Sequence, residues 1–507
     1  MKASLLCLAL LLAPALGLAQ DWLTWGNDPG RTGWAKEEAG LSKANVSQLQ
    51  LIWKTQVDTE PRTVVLATLT APLVAHGVPT SQGARTLVYV VGSADTVYAI
   101  DDATGKVFWQ KSFPNGLKPV RRETWLCPNT QNATPVIDKA AGTIYVLTSD
   151  GKLRGLNLAN GEERFEGTGF APPHSRNWSL NLIDGHIYTT VARGCGGATA
   201  HMAVMDVRDP NHPVQKFSTS TGRPAGAWGR GGAVLGTNGI LAQTADGPWD
   251  PAQNKYGQSV ILVSPGNLEL KDYFTPENWQ HLNDKDLDMG SASPVAFTYQ
   301  GRDLVAAIGK EGTAYLLDAN NLGGEKHQTP LFSYRFGNPE EMLWNGGVWG
   351  AAATWENQAG ERWWYVPMWG PPIVGKDVPR FKRWHGLANN GSIMAFRVAI
   401  EQDKPILVPE WMSRDMALPD PPVVANGVVF ATQTGEDATQ RIISLEQRTT
   451  NTGRTVLHAF DAATGDELFN SGLQIESWSH FGSLAVSAGR VYLVSWDANV
   501  YAFGLRN

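Results

Sequence analysis

The sequence predicts an all-β chain closed into an eight-bladed β-propeller of four-stranded antiparallel blades, and three observations carry that prediction. A unit of three alternating strands recurs along the chain. Eight short apolar strands mark the starts of the blades, and a strand near the beginning supplies what the last blade lacks. Composition agrees, since 53 Gly, 30 Pro and 20 Trp against 18% charged residues describe tight turns and aromatic packing rather than long amphipathic helices.

The clearest copy of the unit runs from Thr86 to Trp109, TLVYVVGSADTVYAIDDATGKVFW. Two alternating strands flank a Ser-Ala-Asp turn, and an Asp-x-x-Thr-Gly turn leads to a third strand ending in Trp. Worn copies follow at 142–165, 303–321, 455–469 and 489–504. The apolar strands begin near 71, 133, 178, 231, 292, 349, 420 and 481. Their spacing of roughly 45 to 70 residues suits four-stranded blades with variable loops, and proline is tolerated at a first strand position because no ladder donor is lost there. The last unit has only three strands before Asn507, so LQLIWKTQV at 49–57 is expected to complete that blade and hide two edges. Residues 20–507 therefore read as one domain. Trp53, Trp109 and Trp411 recur at one blade position and are expected to pack between blades.

Residues 1–19 read as a signal peptide: Lys2, an apolar run from Leu5 to Leu18, and Gly17 and Ala19 ahead of a cleavage site. Export to the periplasm or the medium is the expectation. No later stretch reaches the about 18 apolar residues of a spanning helix. Removing Lys2 takes one of 42 basic residues against 48 acidic ones, a mature net charge of about −7 with histidines neutral. Arg121-Arg122 and Lys382-Arg383 are isolated basic pairs, so nucleic acid is not an expected partner. Cys7 leaves with the signal, and Cys127 and Cys195 suffice for one disulfide in an oxidising compartment. No Cys-x-x-Cys-His is present for covalent haem.

The segment DWLTWGNDPGRTGWAKEEAGLSKANVSQLQLIW at 21–53 resembles the N-terminal signature of the pyrroloquinoline quinone (PQQ) dependent alcohol dehydrogenases, and the likeness extends over the mature chain. It implies a quinone lying flat near the propeller axis between a Trp floor and a disulfide of adjacent cysteines, beside a calcium ion and a catalytic Asp. Cys127-Pro128 stands where that cysteine pair would be, and Cys195 lies in another segment expected near the quinone. A Cys127–Cys195 bridge and two free buried thiols are both consistent with this. Trp228 opens the stretch that leads to a calcium-binding Asn in the family. Asp246 takes that position as the implied metal ligand, or as a turn cap, while the family's Glu ligand has no counterpart.

Asp284, Asp286 and Asp288 fall where the family carries its catalytic base. Spaced by two, they would share one face of an extended segment. Asp286 and Asp288 are the candidate bases and Asp286 a second metal ligand; a solvated acidic loop with Asp288 capping Gly290-Ser291 is the alternative. Lys310 matches the cation that contacts the quinone carbonyls, where it would stabilise charge developing on reduction; a surface hairpin lysine is its alternative. Trp344, Trp349 and Trp478 are expected ring platforms. The implied reaction is oxidation of an alcohol by PQQ, with electrons leaving to a separate cytochrome. Two other readings stand beside it: a scaffold that binds protein partners, like the propeller of the outer-membrane assembly machinery, and a funnel that binds a glycan or polymer. The Trp-rich insertion at 367–391 would serve the latter.

Overall fold

Alternating and fully apolar strands separated by Gly-rich turns build eight antiparallel blades around an axis. The computed structural model describes residues 20–506 apart from 58, 62–63, 131–132, 193, 221–224, 338–345, 374–379 and 440–441. The expected export signal at 1–19 lies outside the described residues. Blades 1 to 7 span Leu73–Ser112, Val136–Gly169, Asn181–Ser218, Val234–Phe274, Val295–Arg335, Ala353–Met412 and Val423–Asn470. Blade 8 takes three strands from Ala485–Gly504 and its outermost from Gln50–Gln56. That seam is antiparallel, with Lys54 opposite Tyr501 and Gln56 opposite Asn499. The expected closing strand and all eight expected inner strands are present. No helix of the described residues is long and apolar enough to cross a membrane.

Blades stack face to face, so their central strands are buried on both sides; Leu87–Val91 and Val97–Ile100 are at most 1% exposed. Neighbouring blades are pinned by the recurring Trp. Trp53, Trp109 and Trp411 donate from Nε1 to the carbonyls of Asp102, Leu158 and Ala462, each in the Asp-x-x-Thr-Gly-like turn of the next blade. The ring needs a glycine beneath it. A Cβ at Gly161 would stand 2.6 Å from Trp109 Cε3, and the φ of +73° there already disfavours any other residue.

The topology fixes where a site can form. In a four-stranded antiparallel blade, the turn between the second and third strands and the link to the next blade emerge on the same face. These links and turns converge over the axis on that face. Residues 20–35 fill the channel beneath them. Leu23 O accepts from Ile137 N, Pro29 O from Leu235 N, Thr32 O from Thr354 N and Gly33 O from Val424 N, tying this segment to the inner strands of blades 2, 4, 6 and 7. Arg31, wholly buried, donates to the carbonyls of Trp25, Leu180 and Gly231. Burial pulls its guanidinium down to about 9, with Asp28 opposing.

Candidate functional site

On the link face, a cavity of ≈ 310 Å³ lies above that plug. Its walls are aromatic. Trp178 comes from the blade 2–3 link, Trp228 from the 3–4 link, Trp349 from the 5–6 link and Phe481 from the 7–8 link. Trp228 meets Trp349 edge to face at 5.0 Å, and Trp349 stacks on Trp369 at 4.8 Å and 7°. Three cations also line it: Arg176, Lys310 and Arg448. Arg176 donates to the carbonyl of Leu126 at 2.6 Å, and the Arg448 guanidinium lies 4.4 Å from the Trp125 ring centre.

Lys310 sits in the turn between the second and third strands of blade 5 and is not a surface hairpin lysine, its side chain being 8% exposed. Nζ pairs with Asp288 Oδ2 at 2.6 Å and Asp286 Oδ1 at 3.4 Å, and lies 5.0 Å from both the Trp228 and Trp349 rings. Asp288 is sealed: it has no exposed surface, and its Oδ1 accepts from Asp246 N at 3.1 Å. It does not cap the following turn through its side chain. Asp286 lines the cavity.

The three acidic residues do not share a strand face. Helix α1 (Trp279–Lys285) takes up Asp284, which is exposed, and Asp286 ends that helix in the left-handed region at φ 55°. Only Asp286 and Asp288 turn toward Lys310. Trp478 also lies outside the cavity lining, buried and stacked on Trp496 at 5.3 Å, while the next residues, His480 and Phe481, face inward. Trp344 lies outside the described residues.

Cys127 and Cys195 form a disulfide with Cα atoms 5.2 Å apart. It ties the blade 1–2 link to the turn between the second and third strands of blade 3, directly behind Leu126, a cavity wall residue. Sulfur of Cys195 also approaches the Leu126 carbonyl at 3.4 Å.

A flat, anionic, aromatic ligand fits these residues. Indole faces, two arginines and a lysine answer a planar tricarboxylate quinone, and the buried Nε1 groups of Trp178 and Trp228 have no hydrogen-bond partner among the described residues. A calcium ion does not fit. Calcium takes six to eight oxygens, yet among the described residues no three His, Cys, Asp or Glu side chains are grouped to hold a metal. The Lys310 ammonium occupies the space between the carboxylates, and Asp246 brings its amide to Asp288.

Sequence reasoning missed Arg176, Trp178, Arg448, His480 and Phe481. The aromatics had a signal, because Trp178, Trp228, Trp349 and Phe481 each precede an inner strand. Arg448 comes from an excursion within blade 7, where helix α2 (Leu445–Thr450) is set by a capping box. Ser444 Oγ accepts from Gln447 N at 3.1 Å, and Gln447 Oε1 accepts from Ser444 N at 2.8 Å.

With this geometry in place, the relatives are informative. The family described as outer membrane protein assembly factor BamB matches residues 35–239. The quinoprotein alcohol dehydrogenase PedH of Pseudomonas putida is 24% identical over 330 residues, 55% of this chain, and the match spans only half of that relative's length. Among solved structures, the quinohemoprotein alcohol dehydrogenase from Comamonas testosteroni is 16% identical, covering 96% of this chain and 80% of that one with a TM-score of 0.53. A europium-containing methanol dehydrogenase is 12% identical, covering 96% and 98% with a TM-score of 0.59. The shared architecture agrees with the blade pattern along the chain: it is an eight-bladed β-propeller, similar over part of its length to a quinoprotein alcohol dehydrogenase.

Proposed function

We propose that the chain is an exported quinoprotein dehydrogenase, residues 20–507 forming one domain that oxidises an alcohol in the axial cavity. The observation that carries this reading is the cavity itself, which joins indole faces to three cations above a plugged channel. Trp228, Trp349 and Trp178 would hold the faces of PQQ, and Arg176 and Arg448 its carboxylates. PQQ, when bound, supplies a quinone carbonyl carbon that accepts hydride. The chain supplies the rest. Lys310, fixed by Asp288 and flanked by Asp286, presents an ammonium that stabilises negative charge developing at a carbonyl oxygen. The plug at 20–35 and the indole walls restrict water to the open face. Electrons would then pass to an external acceptor such as a separate cytochrome. The match at 35–239 to the assembly-factor family supports a second reading, a non-catalytic propeller that binds protein partners.

Titrating the purified mature protein with PQQ, with and without calcium, separates the two. Saturable binding, a raised melting temperature and alcohol-dependent dye reduction are expected. No binding at micromolar PQQ would leave the scaffold reading in possession.

A further inference from the structure

Further around the ring from Lys310, a second set of ionisable groups stands at the cavity wall. His480 enters from the blade 7–8 link; Glu436 and Arg448 come from the blade 7 excursion. Their side chains are 4%, 3% and 6% exposed. His480 Nδ1 is 2.8 Å from Glu436 Oε2, which lies 4.0 Å from the Arg448 guanidinium. A carboxylate at Nδ1 fixes the tautomer with the proton on that nitrogen and leaves Nε2 as the basic atom. His480 lines the cavity, and its ring rests against Phe481 with centres 3.9 Å apart. In an eight-bladed ring, the 7–8 link and the blade 4–5 region carrying Asp286 and Lys310 enter the cavity from well-separated blades. A ligand between them meets a cation on one side and a neutral, oriented imidazole on the other.

We propose that His480, rather than the Lys310-bound carboxylates, accepts the hydroxyl proton of the bound alcohol, with Glu436 as its positioning residue. This rests on the dehydrogenase reading. The alcohol O–H bond breaks and an N–H bond forms at Nε2. The carbinol C–H electron pair leaves as hydride to the quinone, which is reduced as the alcohol becomes a carbonyl compound. The resulting imidazolium is balanced by Glu436, then releases its proton to solvent. The carboxylates are poorly placed for this role: Asp288 is sealed and Asp286 shares the Lys310 ammonium. The groups around His480 agree. Burial lowers its affinity for a proton, Glu436 opposes that, and Arg448 and Arg230 add to it. Asp420, behind Glu436, is a wholly buried carboxyl pushed up to about 7, chiefly by desolvation. His480 is therefore ready to accept at neutral pH.

The test compares wild type, His480→Gln and Glu436→Gln as full-length mature proteins, with two independent readouts. By NMR of 15N-histidine-labelled protein without PQQ, the signal lost in H480Q identifies His480. It should report the Nδ1-protonated tautomer at pH 7, with its titration displaced to lower pH in E436Q. In alcohol-dependent dye reduction, H480Q should retain saturable PQQ binding but lose about 100-fold or more in kcat. It should also lose the acidic limb of the pH profile, which E436Q moves to lower pH. An Nε2-protonated tautomer, or an H480Q enzyme that keeps the limb and stays within about threefold of wild-type kcat, overturns the assignment while leaving the dehydrogenase reading intact. Failure of the wild type to bind PQQ overturns both.

Discussion

At the scale of single residues, the Lys310–Asp288 pair has the sharpest energetic consequence. Removing one partner of a buried ion pair strands the other's charge, at a cost of about 3–5 kcal/mol. Lys310→Ala should therefore destabilise the fold by that order in chemical denaturation, and adding Asp288→Asn should restore part of it. Because Lys310 already stands between the carboxylates, a chelator should leave PQQ affinity unchanged while K310A weakens it. Asp420 predicts a pH effect. Its folded-state value of about 7 lies above the ordinary carboxylate range, so the folded chain binds more protons than the unfolded one between roughly pH 4 and 7. Stability therefore falls as pH rises through that window, and Asp420→Asn should raise the melting temperature more at pH 8 than at pH 4. Lys310, Trp228 and Trp349 were legible as cavity residues because local motifs mark them. The Glu436–His480 contact was not, since it joins an excursion within blade 7 to the link that follows that blade, and their approach depends on packing.

At the scale of elements, the disulfide matters more for shape than for closing a core. Its cysteines are 68 residues apart, and closing a loop of that length stabilises by about 4 kcal/mol in the chain-entropy picture. Cys195→Ser should lower stability by that order and loosen Trp125–Leu126, which a drop in PQQ affinity under reducing conditions would report. The helices explain where pattern reading failed. Spacing by two suggested a strand through Asp284, Asp286 and Asp288, but residues 279–285 close one helical turn after another, and the left-handed Asp286 reverses the chain so that Asp288 points inward. Blade strands were readable because their alternation and turn residues are local, and the Trp–Gly docking repeats with them. The blade 7 excursion has no repeat to betray it.

At the scale of the molecule, closure couples the two ends of the chain. Gln50–Gln56 completes the sheet of Asn499–Gly504, and residues 20–35 reach inner strands around the ring. In hydrogen exchange under mild denaturant, amides of 50–56 and 499–504 should lose protection together; earlier opening of 50–56 alone would show an independent seam. This much the sequence announced, through a final blade one strand short. The seam also has a consequence in time. Gln50–Gln56 is made long before its partner and cannot find its place until Asn499–Gly504 has been synthesised. Until then the plug has only part of its ring and the axial pocket lacks its His480 wall. A chain cut after Asn470 would therefore keep blades 1 to 7 yet leave the axial cavity without its His480 and Phe481 wall.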